Sequence, residues 1–69
     1  MIKKNRHVVP LGTGWAVKRA GHKGFDLISQ TKQDALDFAK QLAKNSKAEL
    51  IVHGRDGKIQ RKDSFIDKK

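Results

Sequence analysis

The segment His53-Gly54-Arg55-Asp56-Gly57 holds the densest set of groups able to do chemistry in this chain. An imidazole, a guanidinium and flanking glycine amides are what a phosphate or carboxylate nest is built from. The same residues also spell a hairpin turn. Asp-Gly supplies the positive φ of a tight turn, and an Asp side chain bonds its own neighbouring amides. Two β-prone runs flank the segment, so the turn reading takes precedence. His7, His22 and His53 show no i, i+4 helical spacing, and the chain has no cysteine to support them, so no metal site is predicted. Ser29, Ser46 and Ser64 sit in no nucleophile-elbow context, and no carboxylate pair is placed for acid–base work. Gly12-Thr13-Gly14 is too short for a dinucleotide fingerprint. The expectation is a protein that is not an enzyme, with no catalytic, cofactor-binding or metal-ligating residue. Trp15 stands alone beside Val17 in a strand-like run and reads as core rather than as a stacking platform.

Charge is the other source of function. Sixteen Lys and Arg stand against seven Asp and Glu, for a net +9. Residues 1–23 hold six of the basic residues (Lys3, Lys4, Arg6, Lys18, Arg19, Lys23) and no acid. A basic end of this kind concentrates polyanions near it and supports salt-sensitive binding. These six and Arg55 are the candidate polyanion-binding residues. The plainer reading is a lysine-rich surface that keeps a small protein in solution.

Hydrophobic periodicity divides the chain into six elements. His7-Val8-Val9-Pro10 and Trp15-Ala16-Val17-Lys18 form a predicted hairpin across Leu11–Gly14. Pro10 ends the first strand or places it at a sheet edge. Phe25–Ser29 is a third strand. Thr31 opens a helix over about residues 32–45, with Thr31-Lys32-Gln33-Asp34 as a capping-box variant. Ala35, Leu36, Phe38, Ala39, Leu42 and Ala43 lie on its apolar side. Asn45 or Ser46 marks its stop. Glu49–His53 and Lys58–Arg61 are strands around the Asp-Gly turn. The fold class predicted is α+β: a two-layer sandwich in which an antiparallel sheet, β-β-β-α-β-β in order, packs on one amphipathic helix. The expected core is Val8 or Val9, Trp15, Val17, Phe25, Leu27, Leu36, Phe38, Ala39, Leu42, Leu50, Val52 and Ile59.

His7-Val8-Val9-Pro10, Gly14-Trp15-Ala16-Val17-Lys18, the Thr31 helix start, His53-Gly54-Arg55-Asp56-Gly57-Lys58-Ile59 and Asp63-Ser64-Phe65 together resemble the small bacterial domain-of-unknown-function family 2188. The resemblance covers about residues 7–65. It implies a fold that agrees with the reading above, and it brings no activity. The organisation expected is a basic extension at 1–6, one domain at 7–66 and a charged tail at 67–69. No apolar run suits a leader or a membrane span, and cysteine is absent, so the expectation is a cytoplasmic domain with no membrane partner. The leading function is weak, sequence-independent nucleic-acid or other polyanion binding through the basic N-terminal hairpin. The alternative is a protein-interaction module pairing through an exposed strand edge, the first or the fifth strand.

Overall fold

A computed structural model describes residues 5–21 and 23–65. Its elements are β1 (Arg6–Leu11), β2 (Gly14–Arg19), β3 (Leu27–Ser29), α1 (Lys32–Ser46), β4 (Glu49–His53) and β5 (Ile59–Ser64). The fold is α+β, with one helix on one face of a five-stranded sheet ordered β3-β2-β1-β4-β5.

The sheet is mixed, which corrects the expected antiparallel arrangement. β1–β2, β2–β3 and β4–β5 pair antiparallel, but β1 pairs parallel with β4. The cause is parity. Two reversals bring β3 back to the direction of β1. The 15-residue helix then returns the chain to its starting end, as a parallel crossover requires. β4 therefore runs with β1, and its place beside β1 makes that pairing parallel. This buries β1 in the middle of the sheet and removes it as a candidate edge; β3 and β5 are the edges. Pro10 is tolerated because the β1–β4 pairing covers only Arg6, His7 and Val8, so no ladder bond is asked of residue 10 on that side.

The core lies between sheet and helix. It is built from Val8, Trp15, Val17, Leu50 and Val52 on the strands and Ala35, Ala39 and Ala43 on α1. Alanines at i, i+4 and i+8 let the helix axis approach the sheet closely, so the larger helical residues flank the contact. Leu36 and Leu42 pack at its borders. Phe38, expected inside, is 37% exposed, and Phe25 and Ile59 are 44% and 61% exposed. Phe25 lies before β3, which is shorter than predicted, and Ile59 opens an edge strand. Phe65 follows β5 and packs on the core instead, its amide donating to the Ala48 carbonyl at 3.0 Å.

The helix start follows its sequence signal. Thr31 Oγ1 accepts from the Asp34 amide at 3.2 Å. The helix ends at Lys47, which takes the left-handed conformation (φ 53°, ψ 47°), one or two residues past the predicted stop. Strand β5 runs to Ser64, three residues past its predicted end at Arg61.

Candidate polyanion interface

Strand alternation sorts the side chains of the sheet. Val8, Val17, Leu50 and Val52 point to the helix, so their neighbours His7, Lys18 and Ile51 point to the helix-free face. The registers place these in one row across four strands. Lys18 on β2 is opposite His7 on β1, His7 is opposite Ile51 on β4, and Ile51 is opposite Lys62 on β5. A second row on the same face carries Ile28 on β3, Ala16 on β2 and Val9 on β1. His53, two residues along β4 from Ile51, also lies on this face, with Ile59 opposite it. A register shift between Val52 and His53 makes room for that pairing.

His7 and His53 meet, though 46 residues apart in sequence: His7 Nδ1 lies 3.0 Å from His53 Nε2. The ring centroids are 5.2 Å apart and the planes differ by 26°. That separation is roughly the nitrogen–nitrogen contact plus two ring radii, so the nitrogens face each other edge to edge. This is hydrogen-bond geometry, with one nitrogen donating and the other accepting. Two metal ligands would instead aim their lone pairs at a shared third point. Among the described residues, no group of three or more His, Asp or Glu side chains is placed to hold a metal ion. The His7 pKa is lowered from its ordinary value, first by burial, then by His53 and Lys18.

The residues expected to bind polyanions do not converge. Lys18 is exposed on the helix-free face. Arg6 faces the other side; it is buried and ion-paired with Asp26 at 3.4 Å. Arg19, opposite Arg6 in the register, shares that other side and is half-buried. Lys23 is exposed in the β2–β3 connection. Lys3 and Lys4 lie outside the described residues, as does His22. Arg55 is exposed, but its guanidinium is engaged. Nη1 donates to the Gly12 carbonyl at 3.0 Å and Nη2 to the Thr13 carbonyl at 2.8 Å. The same group lies 4.8 Å from the Trp15 ring centroid, and Lys32 Nζ lies 5.2 Å from it. Arg55 thus straps the β4–β5 turn to the β1–β2 turn. The turn itself matches its signature: Gly57 sits at φ 86°, and Asp56 Oδ1 accepts from the Lys58 amide at 3.1 Å.

Sequence reasoning passed over His53 as an anion group in favour of the turn, and it passed over Lys62 altogether. The alternation His7-Val8-Val9 and Ile51-Val52-His53 does put both imidazoles on the face opposite the two valines. The parallel β1–β4 pairing was the missing step that brings them side by side.

Residues 6–65 match the family described as uncharacterised protein conserved in bacteria (DUF2188). A curated relative, Uncharacterized protein YdaT of Bacillus subtilis (strain 168), is 42% identical over 62 residues, which cover 90% of this chain and 41% of that protein. The chain therefore spans less than half the length of this relative. No solved structure matches the chain. A match along nearly the whole fold, from the first residue of β1 to the phenylalanine that follows β5, makes this chain a member of the DUF2188 family of uncharacterised bacterial proteins.

Proposed function

We propose that this domain binds the phosphate backbone of nucleic acid weakly and without sequence preference, through the helix-free face of its sheet. The observation that carries the reading is the row Lys18–His7–Ile51–Lys62 on a face that no described helix covers, in a chain of net charge +9. The row spans three strand spacings, about 14 Å, which matches the rise of roughly four nucleotides of one strand. Lys62 is exposed and lies 3.8 Å from the half-buried Glu49, so its ammonium stays accessible from solvent. This moves the interface from the basic N-terminal hairpin to one face of the whole sheet, with Lys18 from the hairpin and Lys62 from β5. Side chains able to read base edges are few here, and phosphate contacts position a protein without reading sequence.

A binding role also suits the groups a catalyst would need. The Ser29 hydroxyl is engaged with the Thr31 backbone, donating to its carbonyl at 2.9 Å and accepting from its amide at 3.1 Å. The two described imidazoles are bonded to each other. Edge pairing with a protein partner is less well supported. The β5 edge carries Arg61, Lys62 and Asp63, the kind of charge that blocks strand addition, and β3 is three residues long.

Titration with short duplex and single-stranded DNA, followed by NMR, tests the reading. Shifts are expected at Lys18 and Lys62 and their strand neighbours, with micromolar or weaker affinity. Affinity should fall with salt by about 0.9 log unit per log unit of salt for each duplex phosphate contact. Lys18→Gln with Lys62→Gln should flatten that slope; Lys40→Gln with Lys44→Gln, on the exposed side of α1, should do much less. Absence of binding at low salt would refute the proposal, as would equal losses from the two pairs.

A further inference from the structure

We propose that His7, His53 and Lys18 form a proton-dependent site for a phosphodiester group, so that the domain takes up a proton when it binds nucleic acid. This rests on the binding face proposed above and names the group within it.

The argument begins with what the imidazole contact allows. With both rings neutral, one of the two facing nitrogens carries a proton and the other accepts. With one ring charged the bond survives and strengthens, as a charge-assisted bond does. With both rings charged, two N–H groups point at each other across 3.0 Å, and the rings must part. The second proton therefore converts a closed pair into two free donors on the surface.

The groups around the pair decide when that happens. β2 presents Lys18, directly opposite His7. β5 presents Lys62 opposite Ile51, and the apolar Ile59 opposite His53. β4 itself presents Glu49, whose carboxylate lies 3.8 Å from Lys62. The other β1 residues on this face, Val9 and Leu11, do not titrate. The Glu49 carboxylate on this face is thus shared with a lysine, and an ammonium stands beside His7. In the free domain the second proton is poorly compensated, in line with the lowered His7 pKa. A phosphodiester oxygen accepting from the parted rings and from Lys18 supplies the missing negative charge. There is room for it on the β2 side of His7: a depression of about 410 Å³, lined by His7, Val9 and Lys18 and by residues 19–21, opens there, and His53 would reach the anion from across His7.

Binding and protonation are then linked. If the anion raises the pKa of the pair by one unit, affinity rises about tenfold as pH falls through that range. The measurement is the affinity of a short DNA oligonucleotide at fixed salt, at about pH 8 and about pH 5.5, the range in which histidine changes charge. Wild-type protein should bind about tenfold or more tightly at the lower pH. His7→Gln and His53→Gln should each bring the ratio of the two affinities toward one, while His22→Gln should keep it. Binding that is independent of pH, or a ratio that persists in both variants, overturns this site and leaves the binding face standing. No binding at either pH overturns the face as well. Inorganic phosphate serves as a second ligand: a stronger effect on the two imidazoles than the oligonucleotide has would rule out the diester. A proton NMR titration of the free wild-type protein avoids dependence on how the variants fold. The two imidazole curves should each show two steps, one borrowed from the other ring; two independent single-step curves would rule out the shared proton.

Discussion

His7 sits where positive charge is opposed by burial, by the His53 ring and by the Lys18 ammonium. Its folded-state pKa therefore lies below the unfolded value of about 6.5. In the window between those two values the unfolded chain holds more protons than the folded one, so stability rises with pH there. Acidification from about pH 7 should lower the melting temperature, and His7→Gln should remove part of that dependence. Thermal melts of both proteins across the range check this; identical slopes would mean that other groups carry the effect. Arg55 gives a second expectation at the same scale. Its two carbonyl contacts and its place over Trp15 are exposed, so Arg55→Ala should cost about 1 kcal/mol in a urea melt. The seven basic residues singled out in the sequence show what charge counting leaves hidden. Nothing in Arg6 itself announces its burial or its ion pair, because Asp26 is 20 residues away along the chain.

The helix's position and cap were legible, since capping and periodicity are local, but Phe38, expected inside, is exposed. Thr31 caps it, and the alanines fall on the buried stripe. What periodicity does not reveal is the depth of contact. The close approach through Ala35, Ala39 and Ala43 leaves no space for a longer side chain. Ala39→Leu should therefore cost about 1–3 kcal/mol through overpacking, even though leucine is a good helix former. A neutral or stabilising result in a denaturant melt would show that the helix can lift from the sheet. The C-terminal turn invites the opposite change. Lys47 adopts φ 53°, a conformation that a side chain makes costly and glycine does not. Lys47→Gly should stabilise the domain by about 1 kcal/mol in the same assay. Of the strands, the hairpins were legible through Gly12-Thr13 and Asp56-Gly57, whose turn chemistry is short-range. The β1–β4 neighbourhood was not, because no local signal states which strand will lie beside which.

At the scale of the whole molecule, that one non-local pairing organises most of what is distinctive. It converts an expected antiparallel sheet into a mixed one and buries the first strand. It also brings His7 to His53 and extends the row that begins at Lys18. The strap from Arg55 to Gly12 and Thr13 closes the same neighbourhood at the opposite end of β1, joining segments 42 or 43 residues apart. Trp15 lies under that strap, and the chain contains one tryptophan and no tyrosine. The domain therefore carries its own optical probe. The indole is shielded by two cations while the strap is closed. Its intrinsic emission should shift to longer wavelength when Arg55 lets go, before the sheet itself melts. Opening of a single turn can thus be followed without a label, separately from global unfolding measured by circular dichroism.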